Sequence, residues 1–158
     1  MPMGYGGGIT TLDQVRRVFA LGFEKVIINS AGYGSGELIQ QAAAVFGAQS
    51  IVGSIDVRKT LLGRYELVSH GGRTKQAGSL QDHIARLESL GVGEIFINAI
   101  DRDGTQSGYD IKLVKEASSA CSVPVIACGG AGSIEHFAEA VHQGGASAVA
   151  AGRETGSR

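Results

Sequence analysis

Apolar residues fall into two kinds of run along this chain. The runs Val26–Ile28, Ile51–Ile55, Ile95–Ile100, Val125–Cys128 and Ala148–Ala151 are short and mostly apolar, with no polar–apolar alternation. Such runs predict strands buried on both faces, the habit of a parallel sheet covered by helices. Met3–Tyr5 predicts a sixth strand by its likeness to Val125–Cys128. Between these runs, apolar residues recur at helical spacing: Leu12, Val15, Val18 and Phe19, then Ile84, Leu87 and Leu90 after Leu80, Ile111, Val114 and Ala117 after Asp110, and Ile134, Phe137 and Val141 after Ser133. Thr11 and Gln14 have the spacing of a capping box, and Asp110 is a good helix cap. Strand and helix thus alternate, which makes the class α/β.

Glycine turns after the strands lean this pattern towards a (β/α) barrel. Two stretches repeat one plan: Gly7–Gly8 and, 122 residues later, Gly129–Gly130 each open a turn, a helix and a short strand. Backbone N–H groups in such turns, close to a helix N-terminus, bind phosphate. In a parallel barrel every strand's C-terminal end lies on one rim, which carries the active site. There the sequence places Gly6-Gly7-Gly8, Asn29-Ser30, Asp56, Asp101 to Thr105, Gly129-Gly130 and Ala151-Gly152. Two facing sockets of this kind suit a small molecule phosphorylated at both ends, with carboxylates between them for acid–base work. One connection is longer: Arg64–Val68 alternates like a hairpin strand, and the polar stretch Ser69–Ser79 reads as a lid over that rim.

Composition narrows the options. The 158 residues carry a net charge of −1, so no bulk field recruits nucleic acid or an anionic membrane. Cys121 and Cys128 give neither a disulfide framework nor metal-ligand spacing, so a reduced, cytoplasmic setting is expected, without metal or cofactor. Cys128 reads as a small core residue, and the histidines at 70, 83, 136 and 142 read as solvent-facing.

The ordered motifs Gly6-Gly7-Gly8-Ile9, Lys25-Val26-Ile27-Ile28-Asn29, Ser54-Ile55-Asp56, Ser69-His70-Gly71-Gly72, Asp101-Arg102-Asp103-Gly104-Thr105 with Gly108-Tyr109-Asp110, and Gly129-Gly130-Ala131-Gly132 resemble those of the cyclase subunit of imidazole glycerol phosphate synthase, a histidine-biosynthesis (β/α)8 barrel. The resemblance implies a reaction. Ammonia from a glutaminase partner, bound as a heterodimer, converts a phosphoribulosyl-formimino aminoimidazole carboxamide ribotide to imidazole glycerol phosphate and an aminoimidazole carboxamide ribotide. It implies that Asp56 is one of two catalytic aspartates. Gly8, with Gly7, Asn29 and Ser30, forms one phosphate site. Gly104, Gly130 and Gly152, with Thr105, Gly129 and Ala151, form the other, and Asp103 is a site aspartate beside it. Lys25 and Glu94 flank the ammonia entrance on the opposite face.

Such a barrel has eight strands and about 250 residues. The resemblance therefore implies an incomplete (β/α)8 barrel over residues 1–152. Its strands correspond to the third to eighth, beginning at Met1, and an atypical tail follows at 153–158. The chain then lacks the first two βα units, the other catalytic aspartate and the final helix. Two further readings are an inactive phosphate-binding remnant, and a branch that amidinates a polysaccharide sugar, to which Thr60-Leu61-Leu62-Gly63 is similar.

Overall fold

The structure, a computed structural model, describes residues 3–152. Six strands form one parallel path: β1 (Gly4–Gly6), β2 (Lys25–Ile28), β3 (Ile51–Lys59), β6 (Glu94–Ala99), β7 (Val125–Cys128) and β8 (Ala148–Ala150). β4 (Tyr65–Ser69) and β5 (Thr74–Lys75) form an antiparallel hairpin on β3. Five helices complete the units: α1 (Leu12–Ala20), α2 (Glu37–Phe46), α3 (Leu80–Leu90), α4 (Ile111–Ala120) and α5 (Ile134–His142). The result is a curled half-barrel, an incomplete (β/α)8 barrel. The expected tail at 153–158 and the expected strand start at Met1 lie outside the described residues.

Three of the helices start where the sequence provides a side-chain partner for their free N–H groups. Thr11 and Gln14 close the capping box of α1, Ser79 accepts from Asp82 N–H at 3.1 Å, and Asp110 accepts from Leu113 N–H at 3.1 Å. α2 has no such cap and follows a left-handed glycine, Gly36, which left it unmarked in the sequence. Its apolar spacing, Leu38, Ile39, Ala42 and Phe46, was present all the same.

The sheet departs from the expected burial on both faces. Burial alternates along β2, β6 and β7, and only β3 is buried almost throughout. Residues in register on parallel strands share a face. Val26, Ile28, Ile51, Ile55, Ile95, Ile97, Val125 and Ala127 therefore face the helices and form the core with Val15, Ile39, Ile84, Leu87 and Leu113. Ile27, Ser54, Asp56, Phe96, Asn98, Ile126 and Cys128 alternate with them and line the inner, concave face. Cys128 is thus a half-buried inner-face residue and not a member of the helix-side core.

Two more expectations need correction. His83 is buried on α3, where its ring stacks on Tyr33 with centroids 4.1 Å apart. Ile134 and Val141 of α5 are exposed, and Ala140 is the residue that α5 buries. α5 packs against α4 and β8, and no described element covers its other flank.

Leu87 keys the packing of the central units. It is fully buried, and its two terminal methyls sit 2.9 and 3.0 Å from where a Cβ would project at Gly32 and Gly53. Two glycines thus form the notch that the side chain fills. Leu87→Ala is expected to cost about 3–5 kcal/mol, read as a lower urea midpoint with an unchanged denaturant slope.

Candidate functional site

Asp56 owes its position to the pleat of β3. Counting outward along the inner face, Val52, Ser54 and Asp56 succeed one another, and Asp56 pairs in register with Asn98. The strand does not end at Asp56, as the sequence suggested. It runs on to Lys59 and pairs there with β4, so the carboxylate projects from a braced strand.

β3's edge is shared between two partners. β2 pairs with it up to Gly53, and β4 takes over the same edge from Asp56. Between these pairings β2 turns away through Asn29 and Ser30, while the hairpin returns through His70 and Gly71. A cavity of about 460 Å³ opens at this gap. The turn Gly6–Thr10, the end of β2 through Ser30, Ser54, Asp56, and His70 with Gly71 line it. Gly7 and Gly8 have φ of 116° and 66°, a backbone that side-chain-bearing residues rarely adopt.

Of the expected residues, Gly7, Gly8, Asn29, Ser30 and Asp56 meet in this cavity. Asp103, Gly104, Thr105, Gly129, Gly130, Ala151 and Gly152 lie along the same rim but form a separate group. Gly108 N–H donates to Gly130 O at 2.8 Å, and Tyr109 Oη donates to Ala150 O at 2.8 Å. A Cβ on Gly152 would sit 3.5 Å from Asp103 Oδ1. A Cβ on Gly130 would collide with the Gly108 carbonyl, so only glycine allows the two turns this approach. Lys25 and Glu94 stand at the other ends of β2 and β6, joined in an ion pair across β3.

Electrostatics single out one carboxyl. Burial raises the pKa of Asp56, and hydrogen bonds from Asn98 and Asn29 partly offset the rise. The Asn98 amide donates to Asp56 Oδ1 at 3.3 Å. Two amides thus orient the group without neutralising it, which leaves it able to exchange a proton. Burial also pushes the Cys128 thiol up to about 11, so it is protonated at neutral pH and no nucleophile. Burial holds His83 down at about 4, so its imidazole is neutral. Among the described residues no group of three acidic, histidine or cysteine side chains is placed to hold a metal.

Reading the sequence missed Ser54, His70 and Asn98. Ser54 and Asn98 were detectable, since each is a polar residue inside an apolar run on the same pleat phase as Asp56. His70 was not, because only the hairpin's pairing brings it back to the rim.

Comparison with known proteins places the chain in a family. Residues 1–154 match the family described as histidine biosynthesis protein. The chain is 44% identical over 154 residues to imidazole glycerol phosphate synthase subunit HisF of Nitratidesulfovibrio vulgaris, covering 94% of this chain and 60% of that protein. Identity to the same subunit of Alkaliphilus metalliredigens is 42% over 151 residues, covering 96% of this chain and 60% of that protein. A Pseudomonas aeruginosa protein named provisionally as such a subunit is 49% identical over 152 residues, covering 96% and 61%. The chain therefore spans about three fifths of the length of the curated relatives it matches.

The raised Asp56 carboxyl has a consequence for stability. With its folded pKa above the unfolded one, the native state holds the proton more tightly, and stability falls as pH rises through the folded pKa. Asp56→Asn removes that loss. The variant should unfold at higher urea than the wild type at pH 7, with the gain vanishing by about pH 3, where the carboxyl is neutral in both the folded and the unfolded chain.

Proposed function

The chain belongs to the histidine biosynthesis protein family, and from that premise we propose that it supplies the catalytic rim of an ammonia-dependent cyclase, the imidazole glycerol phosphate synthase reaction named in its relatives. One observation carries this reading: a half-buried carboxyl of raised pKa, Asp56, faces a cavity whose mouth is the Gly7–Gly8 turn and the Asn29–Ser30 corner.

In this reading the Gly7 and Gly8 amides, with Asn29 and Ser30, receive one phosphate of a substrate phosphorylated at both ends. The Asp103–Thr105 loop, Gly129–Gly130 and Ala151–Gly152 receive the other. A ligand held at both termini has its middle fixed over the inner face, where Asp56 stands. Asp56 then takes a proton from the attacking nitrogen and returns one to a leaving group, and its raised pKa suits a group that must do both. Asn98 keeps its carboxyl aimed inward. Ammonia arrives from a glutaminase subunit docked at the opposite ends of the strands, where the Lys25–Glu94 ion pair stands in its path. The setting is cytoplasmic, and no described helix is long and apolar enough to cross a membrane.

Amidination of a polysaccharide sugar rests on Thr60–Gly63. These residues form the tip of the β3–β4 hairpin and line no part of the cavity, so geometry lends that acceptor no support.

In a complete barrel carrying this segment, Asp56→Asn is expected to lower kcat for ammonia-dependent turnover about a thousandfold. KM should change less than about threefold, since the carboxyl acts in the transition state and holds little of the ground state. A raised KM with kcat intact would remove Asp56 from acid–base chemistry.

A further inference from the structure

His70 lies on the mouth of the cavity with an unusual backbone. Its φ is 52°, in the left-handed region that a residue with a side chain enters at a cost, and Gly71 and Gly72 beside it are left-handed as well. The turn is held closed by Gly72 N–H donating to Ser69 O at 3.1 Å. A second tie comes from β3, whose Arg58 donates to Gly72 O at 3.5 Å. A surface loop free to relax would not need such ties. Here they fix the imidazole where β2 and β4 exchange places on the edge of β3.

The hydrogen bonds behind the ring select its tautomer. Ser69 is completely buried. Its hydroxyl oxygen accepts from Gln76 Nε2 at 2.7 Å and lies 2.9 Å from His70 Nδ1. The serine hydrogen needs an acceptor, and among the described residues Nδ1 is the partner available to it. Nδ1 therefore accepts, and the neutral ring carries its hydrogen on Nε2. The relay Gln76 to Ser69 to His70 ends in one outward-facing donor at a cavity whose other walls are the Gly7–Gly8 turn, Asn29 and Ser30.

The geometry points to His70 as a binding residue that gives an imidazole Nε2–H bond to an oxyanion of the ligand at this end of the cavity, with Ser69 and Gln76 as positioning residues that set its tautomer. This rests on the reading of the cavity as an anion site and adds the donor that closes it from the hairpin side.

The test uses the full chain with ¹⁵N-labelled histidine and inorganic phosphate as the probe. Two-bond proton–nitrogen spectra should show His70 as the Nε2–H form. Gln76→Glu puts an acceptor where the donor was, so Ser69 turns its hydrogen to the carboxylate and accepts from Nδ1–H; the spectrum should show that other form. An Nδ1–H ring in the wild type, or no change in Gln76→Glu, would overturn the relay. Phosphate should move the His70 Nε2 resonance, and His70→Ala should weaken binding about five- to tenfold, with His70→Gln recovering part of it. Equal phosphate affinity in the wild type and His70→Ala, with Asn29 and Ser30 amides still shifting, sinks the role of His70 and leaves the anion site standing. No shift at any of these residues sinks both.

Discussion

The inner face of this sheet depends on how β3 is held. On its helix side Gly53 is locked by Leu87, Val92 and Ile95, with Ile51 and Ile55 in the same buried cluster, and β6 holds it in register over six residues. A slip of one residue would carry Asp56 to the helix side and put Ile55 in the cavity. The apolar packing outside the barrel therefore fixes the chemistry inside it. Nothing on the concave face needs to contribute much stability, so the core tolerates the polar set Ser54, Asp56 and Asn98 there, including the cost of burying the Asp56 carboxyl.

That division explains why the fold was more legible than the site. Core residues obey period, so seven of the eight strands and four of the five helices could be placed from spacing and caps, whereas the exposed β5 fell inside the stretch Ser69–Ser79 read as a lid. α2 escaped because Gly36 replaces the usual capping side chain. His83 escaped because its neutral ring behaves as an apolar plate against Tyr33, and residue type alone does not reveal that. The exposed Ile134 and Val141 show the opposite limit: a stripe at helical spacing says which side of a helix is apolar, not whether something lies against it. Site residues obey topology instead. Asp56 could be found because it interrupts a run, whereas His70 reaches the rim only through the pairing of a hairpin with a strand that continues past the barrel.

The two polar groups on the rim are built differently. The Gly7–Gly8 end is an open cavity walled by backbone and short side chains. The end at Asp103, Gly130 and Gly152 is knit together by direct contacts: Arg102 donates to Gly108 O at 3.1 Å and to Tyr109 O at 3.4 Å, and Thr105 Oγ1 donates to Arg102 O at 2.7 Å. That surface is already organised by its own hydrogen bonds.

The hairpin on β3 is clamped just below its turn, and the tip beyond the clamp is free. At the last pair before the turn Tyr65 Oη donates to Asp110 Oδ1 at 2.9 Å, and Lys59 Nζ lies 3.8 Å from Asp110 Oδ2, so the carboxylate that caps α4 also clamps both strands of the hairpin. The tip closes on itself, with Thr60 N–H donating to Arg64 O at 2.8 Å, and Leu61 and Leu62 project fully into solvent. Residues can be gained or lost between Thr60 and Arg64 without disturbing the register below. Descendants of this scaffold are thus free to vary in length at that point, and two protruding leucines give natural selection a handle that leaves the cavity untouched.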